Sequence, residues 1–184
     1  MTPAQARFGR EARAVQVTET ADHPTPELRS SWRFIAPVLI VGVVFAAFWP
    51  SLDAGFVNWD DDDLLLKNMR HRAWTSENLR WMFTTSFFGH YQPLTWVSYA
   101  LDYSLWRGEP RGYHLTNVIL HAVTAVGFYF VARRLLAVAD HCDENRQTTP
   151  YVLCAALSAI LFAAHPLRAE SVAWLAERRD VLSG

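Results

Sequence analysis

The sequence predicts an all-α protein of polytopic membrane helices joined by a long helical outer loop, and three observations carry that expectation. Of 184 residues 51% are apolar and only 19% charged, below the roughly 25% of an ordinary soluble domain. The apolar residues are gathered into three runs. Arginines cluster before the first run and directly after the second, the asymmetry that orients membrane helices with those ends inside.

Residues 1–33 carry Arg7, Arg10, Arg13, Arg29 and Arg33 together with Pro24 and Pro26, and read as a flexible cytoplasmic tail. The membrane domain then occupies residues 34–184, with spans at about 34–52, 113–136 and 150–164. At about 1.5 Å per residue the first run nearly crosses roughly 30 Å of hydrocarbon. It reads as an uncleaved anchor rather than a signal peptide, because the leader and the run are long and no small-x-small site precedes Asp53.

The outer loop, residues 53–112, holds Trp59, Trp74, Trp81, Trp96 and Trp106, more than half of the eight tryptophans. Indole rings favour the headgroup level, so this is an interfacial signature. A loop of this length needs structure of its own. Glu77 to Phe88 and Pro93 to Trp106 have helix-compatible spacing and are expected to lie along the membrane surface.

The second span ends at Arg133-Arg134, inside, and a polar inner loop follows. The third apolar run, Tyr151 to Ala164, reaches only about two thirds of the way across. His165-Pro166 is therefore expected below the outer surface, in a protein-lined cavity, with Pro166 opening a short helix. Residues 166–184 would begin a further helix, so the chain is expected to be the first part of a longer architecture.

Composition also narrows function. A net charge of −1 and the absence of a basic cluster interleaved with aromatics give no support to nucleic-acid binding. Cys142 and Cys154, one in polar and one in apolar surroundings, form neither a disulfide framework nor a CxxC metal site.

The chemistry-bearing residues converge on the outer side. Asp60, Asp61, Asp62 and Asp63 are consecutive carboxylates that raise one another's pKa unless a cation, a helix end or a substrate offsets their charge. One reading makes them a general base toward a hydroxyl; a second has Asp60, Asp61 and Asp62 hold Mg²⁺ or Mn²⁺; a third has Asn58 cap a helix whose first turn carries acids. His90, His165 and Glu170 face the same compartment. On the second span His114, Asn117, His121 and Thr124 form a polar stripe, for interhelical hydrogen bonds or for a ligand. Arg178 and Arg179 either snorkel to headgroups or meet a lipid-linked phosphate bidentately.

Several strings in order carry a resemblance: Phe56-Val57-Asn58-Trp59-Asp60-Asp61-Asp62; Gln92-Pro93-Leu94-Thr95-Trp96 with Leu101-Asp102-Tyr103; Gly112-Tyr113-His114-Leu115-Thr116-Asn117 with Leu120-His121; and His165-Pro166-Leu167 through Glu170-Ser171-Val172-Ala173-Trp174 to Glu177-Arg178-Arg179-Asp180. Together they resemble the N-terminal membrane part of the transmembrane and tetratricopeptide-repeat (TMTC-like) proteins, within the GT-C glycosyltransferase superfamily. The resemblance covers about the last two thirds of the chain. It implies a partial GT-C fold, a polyprenyl-phosphate sugar donor and a protein hydroxyl acceptor. By position it makes Asp60 and Asp61 the catalytic acidic pair and places His165, Glu170 and Arg178 around the donor; His90 joins that donor- or substrate-binding set from its place on the outer side alone, with capping or packing among the surface helices as its other reading. Two rival expectations stand beside the enzyme: a non-catalytic membrane anchor or assembly module binding lipid or a partner, and an ion-handling membrane protein.

Overall fold

The computed structural model describes residues 26–139 and 149–183. In chain order the helices are α1 (Pro26–Phe48), α2 (Ser76–Thr84), α3 (Pro93–Trp106), α4 (Pro110–Ala139), α5 (Thr149–Ala163), α6 (Arg168–Ala173) and α7 (Arg178–Ser183). Among the described residues there is no strand, only an isolated bridge between Phe87 and His90. Of the flexible tail expected over residues 1–33, residues 26–33 are instead helical and open α1; the residues before them, and the expected inner loop with Cys142, lie outside the described residues.

α1, α4 and α5 pack against one another as one bundle. Phe34–Asp53 and Pro110–Ala139 are long and apolar enough to cross a membrane, while Pro150–Ala163 is apolar but shorter. The second span thus begins and ends beyond the expected 113–136. Every fourth residue along α1 and α5 is buried: Ala36, Ile40, Val44 and Phe48 on the first, Ala155, Ala159 and Ala163 on the other. Alanines at that spacing let helix backbones approach closely, which in lipid is a main source of packing energy. The opposite faces, with Val38, Val123, Leu135, Leu157 and Leu161, are exposed, as lipid-facing surfaces should be.

A second core lies in the loop between the two spans. Trp96 is fully buried among Leu64, Leu65, Met82, Tyr99 and Leu175. Its ring stands 5.0 Å from Trp81 and 5.5 Å from Phe87, centroid to centroid. The loop tryptophans therefore divide: Trp96 is core and Trp81 half-buried against it, whereas Trp59, Trp74 and Trp106 keep the exposure expected of interfacial rings. A loop of this length holds together by spending part of its aromatic content inward.

Local signals set the helix ends. Thr75 caps α2, its hydroxyl accepting the Asn78 N–H at 3.2 Å, and Pro93 opens α3. α2 stops at Thr84 instead of reaching Phe88, because Phe87 and His90 exchange both backbone hydrogen bonds across Phe88 and Gly89, each with positive φ. The short helix expected to open at Pro166 runs over Arg168–Ala173 and is broken at Trp174, whose backbone is extended. There the Ala176 N–H leaves the helical ladder and donates to Asp61.

The two cores are joined by Arg178, which has no exposed surface. Its guanidinium donates to Asp102 on α3, to the Asn117 side-chain oxygen on α4 at 2.7 Å and to the Tyr113 carbonyl at 2.8 Å. The Tyr99 ring lies 4.8 Å beneath it. Asp102 also accepts from Thr116 at 2.6 Å. Burial pushes the Asp102 carboxyl up, while Arg178 and Thr116 draw it back down. From the same stripe Asn117 donates to the Val172 carbonyl at 3.1 Å, and a His121 ring nitrogen meets the Ala163 carbonyl at 2.9 Å. These are interhelical hydrogen bonds.

Two expected outcomes follow from this packing. Removing one partner of a buried ion pair strands the other, so Asp102→Ala should destabilise the full-length protein by about 3–5 kcal/mol in chemical denaturation. The second concerns pH. His71 is buried against Tyr99 and Tyr103, and burial pulls its pKa down from 6.5 to about 4. Between those values the unfolded chain binds more protons, so this group's contribution falls on acidification from pH 6.5 toward 4, by on the order of 3 kcal/mol. Asp61 and Asp102, both raised, work in the opposite sense. The difference between wild type and His71→Phe, melted at pH 7 and 4.5, isolates the histidine: wild type should lose more on acidification than the variant.

Candidate active site

The aspartate run begins helically at Asp60 and Asp61 and continues as a π-helical turn over Asp62–Leu66, closed by the Lys67 N–H donating to the Asp62 carbonyl at 2.8 Å. Turns of this kind are uncommon and cluster at functional sites. Four like charges side by side would be costly, and the fold separates them. Asp63 turns outward to an ion pair with Lys67 at 2.8 Å. Asp61 turns inward and is fully buried.

Both Asp61 oxygens are spoken for by backbone. One accepts the Val57 N–H and the other the Ala176 N–H, each at 2.9 Å. Burial is the main cause that raises the Asp61 carboxyl above the usual carboxylate range, with Asp60's charge adding to it and the two N–H donors opposing. Asp61 thereby ties the Phe56–Trp59 approach to the strip between α6 and α7.

Asp60 is half-buried and opens on a cavity of about 210 Å³ shared with Phe87, His90, Gln92, Glu177 and Arg179. The reverse turn at Phe88-Gly89 brings His90 to its rim. Gln92 begins α3 without capping it, leaving its side chain free to face the cavity. Arg179 is held in the wall by a two-pronged contact with Glu177, at 2.9 and 3.1 Å. The cavity therefore joins two carboxylates, Asp60 and the Glu177 paired with Arg179, to an imidazole and a guanidinium, a set able to take a proton, orient hydroxyls and meet an anion.

The expected site residues are thus divided. Asp60 and His90 meet at the cavity, with Asp61 directly behind its wall. Arg178 does not line it; the neighbouring Arg179 does. His165 and Glu170 lie outside it, on the exposed corner between α5 and α6, where the His165 ring nitrogen accepts the Leu167 N–H at 3.2 Å. Among the described residues no group of three or more His, Cys, Asp or Glu side chains is placed to hold a metal ion. Asp60, Asp61 and Asp62 do not converge, and Asp61's oxygens are already engaged. Gln92 and Glu177 were not among the expected site residues, and Arg179 was expected only beside Arg178, as a headgroup or phosphate contact. The string Glu177-Arg178-Arg179 was legible, but helical phase decides which arginine faces the cavity, and that phase is reset by the break at Trp174.

No family model and no solved structure matches the chain. Curated proteins do. The human protein O-mannosyl-transferase TMTC3 is 34% identical over 155 residues, which is 79% of this chain and 15% of that protein. The human protein O-mannosyl-transferase TMTC4 is 28% identical over 158 residues, 81% of this chain and 21% of that protein. The Drosophila melanogaster protein O-mannosyl-transferase Tmtc1 is 32% identical over 149 residues, 77% of this chain and 16% of that protein. The chain spans less than a quarter of the length of each of these relatives. With its two apolar helices it is a membrane protein, and over the residues that align it belongs to the TMTC family.

Proposed function

We propose that this chain is the membrane part of a protein glycosyltransferase, one that moves a sugar from a polyprenyl-phosphate donor to a Ser or Thr hydroxyl. The names of the relatives point to a mannosyl group. The observation that carries the reading is the cavity in which Asp60 and His90, from the loop between the two spans, meet Arg179 of α7. The protein sits in the inner (cell) membrane with its arginine-bearing end in the cytoplasm and this loop outside.

In this reading the acceptor oxygen attacks the anomeric carbon as the bond from that carbon to the phosphate oxygen breaks. The hydroxyl proton passes to Asp60, and the leaving phosphate takes the electron pair and meets Arg179. Asp60, unlike Asp61, has a face on the cavity, so it is the base; Asp61 is a positioning residue that fixes the turn on which Asp60 stands. His90 orients the sugar. His165 and Glu170 are exposed, do not line the cavity and take no part in the transfer step. Arg178 acts through Asp102, Asn117 and Tyr113, not on the substrate.

Sugar transfer by the full-length protein in membranes, together with its thermal stability, separates these roles. Asp60→Asn should cut turnover by about 10²–10⁴-fold with stability retained. Asp61→Asn places an NH₂ against a backbone N–H and should destabilise by about 1–3 kcal/mol. Wild-type turnover from Asp60→Asn would end the base assignment. A wild-type protein that binds the donor and transfers nothing would favour the anchor or assembly module.

A further inference from the structure

Beside the cavity, and sharing Phe87 and Phe88 with it, runs a second, more open groove of about 420 Å³ whose other walls are Asp63, Lys67 and Asn68. We propose that this groove is the seat of the acceptor polypeptide, held in extended form with its reactive hydroxyl turned over the Phe87–Phe88 wall toward Asp60. The inference rests on the transfer reading above and adds to it where the protein substrate lies and which side chain binds it.

Three observations converge. The first is an unpaired donor. Asn68 accepts the Arg70 N–H through its oxygen at 3.0 Å, while its Nδ2 is buried and has no hydrogen-bond partner among the described residues. A buried donor left unpaired is costly, and a peptide carbonyl is the acceptor every residue of an extended chain presents.

The second is register. Asp60 and Leu64 border the cavity, and Asp63, three residues after Asp60, borders the groove, so one helical turn forms part of both. A chain lying in the groove is about one turn, near 5 Å, from the proposed base, within reach of a Ser or Thr side chain. The third is the wall itself. Phe88 is 59% exposed and held at φ 50°, a conformation that favours glycine. Strain of this kind on an exposed aromatic ring between two hollows marks a surface shaped for a ligand. The Asp63–Lys67 pair lies on the rim and leaves the groove without net charge, as an uncharged peptide backbone requires.

The test uses the full-length protein in detergent, without donor, and a fluorescent pool of N-acetylated, C-amidated hexapeptides each with one central Thr. Saturable binding is expected from wild type. Asn68→Asp keeps the bond to Arg70 and turns the free donor into an acceptor, so peptide binding should weaken about tenfold or more. Phe88→Gly relieves the backbone and removes the wall, and should weaken binding with thermal stability kept or raised. In the transfer assay Asn68→Asp, which lies outside the cavity, should raise KM for peptide and leave KM for donor unchanged. Wild-type peptide affinity in both variants, or no saturable binding by wild type, overturns the groove assignment. Loss of peptide binding in the variants, alongside a wild type that transfers no sugar, upholds the groove and refutes the transfer reading.

Discussion

The structure depends on one buried cation. Arg178 is shut away from solvent and touches α3 through Asp102 and α4 through Asn117 and the Tyr113 carbonyl. Taking a guanidinium out of water costs several kcal/mol, recovered only when its donors are matched and its charge is paired. That requirement fixes the distance and rotation of three helices at once. It also sets the phase of α7, and with it the wall of the cavity one residue further along. Replacing such a cluster by apolar side chains can leave a protein as stable or more so, so its value here is geometric: it specifies one arrangement of loop and bundle.

Asp61 extends the same logic across the loop. A carboxylate that accepts one backbone N–H from 4 residues before it and another from 115 residues after it works as a clasp, closing the aspartate turn on the strip that follows α6. Because the clasp consumes both oxygens of Asp61, the chemistry left to the run falls to its neighbour. Adjacent aspartates of the same type thus divide into one that builds and one that is offered to the cavity. The π-helical turn serves this division by widening the backbone where Asp62 and Asp63 must turn away.

The aromatic residues show a parallel partition. Trp96 and Trp81, with Phe87, form the inner core that lets a long loop stand as a folded cap, whereas Trp59 and Trp74 remain at the surface. Composition identified the tryptophan-rich loop correctly and could not sort its members, because an indole satisfies a core and an interface by the same amphipathic character. Element boundaries were legible where a local signal sat, as at Pro93, and lost where a long-range bond intervened, as at Trp174.

Read alone, the residues determined the all-α class, the apolar helices and the long loop between them that carries the acidic run, because hydrophobic length and helical period are local properties. Which aspartate and which arginine meet the cavity was decided by tertiary structure. Successive side chains on a helix point about 100° apart, so adjacent residues have different surroundings once the helix is docked. The docking phase here comes from bonds between residues far apart in the chain, Asp61 to Ala176 and Arg178 to Asp102, and no local pattern encodes them.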